Sequence, residues 1–113
     1  MLGDKPGWGV RVRVWVERDG RKVLGPGRVE LLTLIGEHHS ISAAARHMGM
    51  SYRRAWTLVR DMNEAAGEPL VSANTGGSGG GGAELTARGR EAVALYRRLT
   101  DTVSRSNPHT TVA

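Results

Sequence analysis

From Val10 to Val16 the chain alternates. Val10, Val12, Val14 and Val16 fall on one side, and Arg11, Arg13 and Trp15 on the other. Period two with β-branched residues predicts a half-buried strand. Asp19-Gly20 then predicts a hairpin turn, with Gly at a position needing positive φ, and a short return strand over 21–24. Such a ribbon is marginal alone and must lie on another element. Beyond it the spacing becomes helical. Val29, Leu32 and Ile35, with Leu31 and Leu34, form a broad apolar face that predicts a helix over 28–39. Ser42 is placed to cap a second helix rich in alanine, which Gly49 ends. Ser51 is placed to cap a third helix running to about Ala66, before Gly67. "EPLVSANT" predicts a short strand after Pro69 and "AEL", 83–85, its partner. Thr86 is placed to cap a last helix over 87–104. The order of elements is therefore strand, strand, three helices, strand, strand, helix, an α+β domain over residues 1–104. Residues 105–113 are expected to be a frayed, disordered tail.

Composition narrows the class. The chain of 113 residues has room for one modest core, with no Phe and only 4% aromatic residues to fill it. Leu, Val, Ile, Met, Ala and the three Trp must supply that core. No apolar run reaches the length of about 18 residues that spans a membrane, and the opening "MLGDKPGWG" lacks the order of a secretory signal. A soluble, cytoplasmic protein is the expectation. The absence of cysteine excludes disulfides and thiolate metal sites.

The charge is unevenly placed. Residues 1–60 hold eleven Lys or Arg against five Asp or Glu, whereas residues 61–113 hold five against six. Basic charge gathered in one half suits a polyanion, because Lys and Arg on phosphates release condensed counterions. It equally describes a soluble basic surface.

The third helix makes the choice sharper. Ala55, Leu58, Val59 and Met62 share one side and should face the core. Arg53, Thr57, Arg60 and Glu64 lie opposite, flanked by Arg54 and Asp61. An α-helix fits the major groove of DNA, where Arg can bind guanine with two hydrogen bonds. A lone helix with this stripe could also be an ordinary solvated face. The preceding residues argue against that. Ala45 is small where two helices would cross, Gly49 sits in the turn, and Ala44, Met48, Met50, Ala55 and Leu58 can lock the pair. These are the requirements of a helix-turn-helix, whose second helix enters the groove.

"SISAAARHMGMSYRRAWTLVRDMN", followed by "TGGSGGGGAELTARG", resembles the N-terminal DNA-binding domain of the molybdate-responsive ModE-type regulators. These are relatives of the LysR-type winged helix-turn-helix proteins. The similarity runs from about Arg28 to Leu99. It implies a winged helix-turn-helix with an N-terminal β-hairpin and a C-terminal dimerisation helix, binding a palindromic operator in double-stranded DNA as a homodimer. The DNA-binding residues it implies are Ser51, Tyr52, Arg53, Arg54, Thr57 and Arg60 on the third helix. Ser42 and the glycine tract would contact the backbone. That tract puts six glycines into the seven positions 76–82. As a wing it would present Thr75, Gly77, Ser78 and Gly79 to phosphates, glycine letting the backbone approach without a Cβ. The competing reading of a Gly/Ser run is a flexible linker; the flanking strands and the short chain beyond favour the wing. Ala92, Leu95, Tyr96, Leu99 and Val103 form one stripe of the last helix, which could dock on the chain's own core or on a second subunit; the resemblance implies the second, a dimer interface. The ModE-type regulators that sense molybdate carry C-terminal oxyanion-binding domains, and this sequence ends at Ala113. A ligand response is therefore not carried over; the expectation is either a stand-alone DNA-binding module or a regulator whose signal comes from a separate effector-sensing protein.

Other residues offer little chemistry. His38 and His39 diverge as neighbours and suit a helix C-terminus better than a metal. His47 could touch a phosphate or lie exposed. Trp56 is placed to pack against a strand or the wing, or to meet a base. There is no Ser-His-Asp arrangement, no paired-carboxylate site, and "GGSGGGG" lacks the Lys-Ser/Thr of a nucleotide-binding loop. Neither an enzyme nor a cofactor is expected. The alternative function is a winged-helix protein-interaction module. An RNA partner is a weaker reading, because the narrow A-form major groove does not admit a helix.

Overall fold

In the computed structural model, residues 5–74 and 82–113 are described. The predicted first strand is broken into two. Val10–Val12 forms β1 and Val16–Arg18 forms β2, which pairs antiparallel with β3, Arg21–Leu24, across the Asp19-Gly20 turn. Both turn residues have positive φ, 52° and 77°, as that turn requires. The break lies at residues 13–15 and has two physical causes. The Val14 carbonyl accepts a hydrogen bond from the Tyr96 hydroxyl at 2.9 Å, and the Trp15 ring folds against Gly25. A Cβ on Gly25 would stand 1.9 Å from that ring. The Lys22 ammonium covers the ring at 3.5 Å from its centroid.

Helix α1, Pro26–His38, begins two residues earlier than the pattern predicts because Pro26 supplies a preset first turn. It ends at His39, in the left-handed conformation with φ 53°. Helix α2, Ile41–Met48, is capped by Ser40 and not by Ser42: the Ser40 hydroxyl accepts from the Ala43 amide at 3.0 Å. Ser42 instead lies within the helix. Gly49, with φ 67°, closes α2, and Ser51 caps helix α3, Tyr52–Ala66, by accepting from the Arg54 amide at 3.1 Å.

Strand β4, Val71–Ala73, pairs antiparallel with β5, Ala83–Leu85, in the register Val71↔Leu85 to Ala73↔Ala83. Asn63 of α3 fixes the entry to this hairpin. Its amide oxygen accepts from the Leu70 and Val71 amides at 2.8 and 3.3 Å, and its nitrogen donates to the Val71 carbonyl. At the far strand the Ala83 amide donates to the His39 carbonyl at 3.0 Å, so the hairpin leans on the end of α1. Helix α4, Ala87–Arg105, is capped by Thr86, whose hydroxyl accepts from the Gly89 amide and donates to the Pro69 carbonyl at 2.7 Å.

The tail does not fray throughout. Thr110–Val112 forms β6, which pairs parallel with β1 from Val10↔Thr110 to Val12↔Val112. Alternating apolar positions at 10 and 12 were free for this partner once the strand broke, and the tail returns along α4 to reach it.

The core is built around α1, which touches α2, α3, α4 and β5. Leu31, Leu32 and Ile35 are fully buried, with Leu24, Val59 and Met62 around them and Ala44, Ala45 and Ala55 where the helices cross. At about 25 cal/mol per Å² of apolar surface, these side chains are the main source of stability. No buried side-chain polar atom among the described residues lacks a hydrogen-bond partner.

Close approach rather than φ makes one helical glycine necessary. A Cβ on Gly89 would stand 2.1 Å from the Leu70 carbonyl oxygen. Gly27, in the first turn of α1, has nothing within 4 Å of its would-be Cβ. Gly89→Ala is therefore expected to lower stability by about 1–3 kcal/mol despite its better helix propensity. Gly27→Ala should raise it by about 0.5–1 kcal/mol. Urea denaturation of the two variants checks both signs.

Candidate nucleic-acid interface

Helix α3 is amphipathic because Ala55, Val59, Met62 and Ala65 are buried against α1, α2 and β3. With those inward, Arg53, Thr57, Arg60 and Glu64 point to the opposite side and are exposed. Arg54 is exposed on one shoulder and Tyr52 on the other. None of Arg53, Arg54 and Arg60 forms an ion pair with a described residue. Three guanidinium groups thus stand on the first three turns of one helix with their charge uncompensated within the described chain.

The acidic residues of α3 are treated differently. Asp61 receives Arg21 of β3 at 2.6 Å and Arg28 of α1 at 2.6 Å, and Glu64 receives Arg21 at 3.3 Å. The Arg21 hydrogen bond, then that of Arg28, holds the Asp61 carboxyl below its ordinary range. The same contacts raise the Arg21 guanidinium. Two effects follow: the ribbon and α1 are tied to α3, and the negative charge nearest the arginine stripe is neutralised. Sequence reading placed Asp61 beside the stripe but not its partners, 40 and 33 positions away. Only the packing of β3 and α1 against α3 brings them together, and no local signal carries that.

The other expected contacts are placed as follows. The Thr57 hydroxyl donates to the Arg53 carbonyl of its own helix at 2.9 Å, leaving it only acceptor capacity. Ser42 is exposed and accepts from the Arg46 guanidinium at 3.1 Å. Trp56 is half-buried against the core and turns its indole N–H to the Tyr52 hydroxyl. His47 stacks on His38, ring centroids 4.3 Å apart, joining the ends of α1 and α2. Thr75, Gly77, Ser78 and Gly79 lie outside the described residues.

On α4 the stripe divides. Tyr96 is 5% exposed, its hydroxyl bound to Val14 and burial raising its pKa. It belongs to the chain's own core and is corrected from the expected dimer interface, because a side chain so enclosed has no area left to offer. Leu95 and Leu99 are 37% and 38% exposed, with Ala92 and Val103 half-buried beside them. Among the described residues no three His, Cys, Asp or Glu side chains gather as a metal site, and no helix is long and apolar enough to cross a membrane.

A short α2, a left-handed glycine turn, an outward arginine helix and a following hairpin define a winged helix-turn-helix domain. The chain belongs to the LysR family of bacterial regulatory helix-turn-helix proteins, whose model matches residues 27–90. It is 48% identical over 83 residues to the molybdenum-pterin-binding protein MopB of Rhodobacter capsulatus, covering 74% of this chain and 30% of that one. It is 41% identical over 87 residues to the molybdenum transport protein ModE of Azotobacter vinelandii, covering 77% and 32%. Against the DNA-binding transcriptional dual regulator ModE of Escherichia coli K12 the identity is 44% over 74 residues, covering 66% and 28%. The chain thus spans about a third of the length of these relatives and resembles their ModE-type DNA-binding region. A crystal structure of a LysR family transcriptional regulator shares the fold with a TM-score of 0.55 at 19% identity, covering 71% of this chain and 26% of that one.

Asp61 provides a pH test. Its folded pKa is depressed, so its contribution is present above the ordinary carboxylate value of about 3.9 and fades as pH falls through the lowered one. Asp61→Asn should lower the urea midpoint at pH 7, modestly because water screens both partners. The two curves should converge in acid.

Proposed function

We propose that this chain is the DNA-reading domain of a ModE-type transcriptional regulator and binds a palindromic operator as a homodimer. The observation that carries the reading is the outward, uncompensated arginine stripe of α3. An α-helix of this kind fits the major groove, where Arg53 and Arg60 can reach base edges while Arg54 takes a phosphate. Ser51, Tyr52 and Thr57 complete the contact surface, and Ser42 reaches the backbone from α2. The names of the relatives, a DNA-binding transcriptional dual regulator among them, support the same assignment.

The dimer rests on α4. Leu95 and Leu99 leave an apolar strip in water on a helix of 19 residues, and pairing two such helices buries it. Two-fold symmetry then sets two recognition helices about 34 Å apart, one turn of DNA. The uncompensated arginines weigh against the alternative of a purely protein-binding winged helix, and the chemistry described is binding rather than catalysis.

Selection of bound duplexes from a random pool tests the assignment, and palindromic winners are expected. Arg53→Ala and Arg60→Ala should each cost about 1–3 kcal/mol on those duplexes and relax preference at one base position. A uniform loss across sequences with a shallower salt slope would reassign that arginine to a phosphate. A second measurement addresses the dimer: Leu99→Asp should sediment as a monomer and lose most operator affinity. Repeating the selection with molybdate tests whether the oxyanion alters occupancy.

A further inference from the structure

The chain has two tyrosines, and their hydroxyls are used in opposite senses. Tyr96 donates its proton to the Val14 carbonyl and is enclosed. Tyr52 accepts. The Trp56 indole N–H donates to the Tyr52 oxygen one turn back along α3. Indole N–H is a donor only, whereas a phenol carries one proton and two lone pairs. With one lone pair taken by Trp56, the Tyr52 proton has to point away from the indole. Among the described residues no acceptor takes it, and the residue is 53% exposed. The two rings meet edge to face, 88° apart with centroids 6.4 Å apart, which restricts the phenol to one side of the helix. Trp56 is itself anchored, half-buried against the core.

The place of this pair on the helix says what the proton meets. At about 100° per residue, Arg53, Thr57 and Arg60 form the outer face of α3, and Tyr52 with Trp56 forms one shoulder. Arg54 and Asp61 form the other. A helix laid in a groove turns its outer face to base edges and its shoulders to the flanking sugar-phosphate walls. Tyr52 also opens the helix, directly after the Ser51 cap, where the positive end of the helix favours an anion.

We propose that Tyr52 donates a hydrogen bond to a non-bridging phosphate oxygen of duplex DNA and that Trp56 is the positioning residue that aims it. This rests on the DNA reading above. Sequence pattern marks Tyr52 and Trp56 only as neighbours four residues apart. The direction of the proton comes from their hydrogen bond.

The test uses the intact chain with Tyr52→Phe, Trp56→Phe and the double variant on the selected duplexes. Tyr52→Phe should weaken binding about tenfold, as loss of a hydrogen bond to a charged oxygen does. Trp56→Phe should weaken it less, and the double variant should match Tyr52→Phe. The salt slope and base preference should not change, because no cation is lost. Replacing one particular phosphate by methylphosphonate should erase the difference between wild type and Tyr52→Phe. Equal affinity of wild type and Tyr52→Phe, additive losses, or no phosphate that erases the difference would each overturn the proposal.

Should Trp56→Phe fail to fold, the free protein supplies a second readout. The Trp56 indole N–H resonance should shift in Tyr52→Phe, and an unmoved resonance also overturns the pairing. Wild type that binds no duplex at all overturns the DNA reading and the phosphate contact with it, while the indole resonance still reports the pair separately.

Discussion

Helix α3 buries Ala55, Val59, Met62 and Ala65, and that burial fixes its rotation about its own axis. Arg53, Thr57 and Arg60 are outward for no reason of their own; they are outward because the other side is needed by the core. Ala44, Ala45 and Ala55 are almost wholly enclosed where α2 and α3 approach α1, and small side chains allow that approach. Gly49 closes the corner in a conformation a side chain would resist. The exposed arginine surface is thus a by-product of packing beneath it.

Charge is sorted by the same packing. Two arginines from other elements, Arg21 and Arg28, are spent on Asp61, while Arg53, Arg54 and Arg60 are left without a described ion pair. The division separates arginines that hold the fold from arginines available to a polyanion. Composition alone shows a basic half of the chain; it does not show which guanidinium groups are already occupied.

The helices, their caps at Ser51 and Thr86, the Asp19-Gly20 turn and the strands at 71–73 and 83–85 were legible in the sequence, because each is decided within a few residues. What was not legible depended on distant partners. Val10–Val16 reads as one strand until Tyr96, 82 positions from Val14, takes a carbonyl in its middle. Residues 105–113 read as loose until β1 offers an edge. Ser42 reads as a cap, yet Ser40, two residues earlier, takes that place and Ser42 falls inside α2. Tyr96 falls on the stripe of α4 with Leu95 and Leu99, yet only contact with the ribbon shows that it faces inward. Of the candidate surface, the arginines of α3 were found from helical period, whereas the Asp61 bridges and the aim of Tyr52 needed the three-dimensional arrangement.

The central claim is that the outer face of α3 is the surface that meets DNA. Titrating a duplex into the isotope-labelled protein and following its backbone amides tests this most directly. The account predicts that the largest perturbations fall within residues 51–60, while α4 between Leu95 and Arg105 changes little. Perturbations centred on α4 or on the β1–β6 pair, with residues 51–60 unmoved, would contradict it.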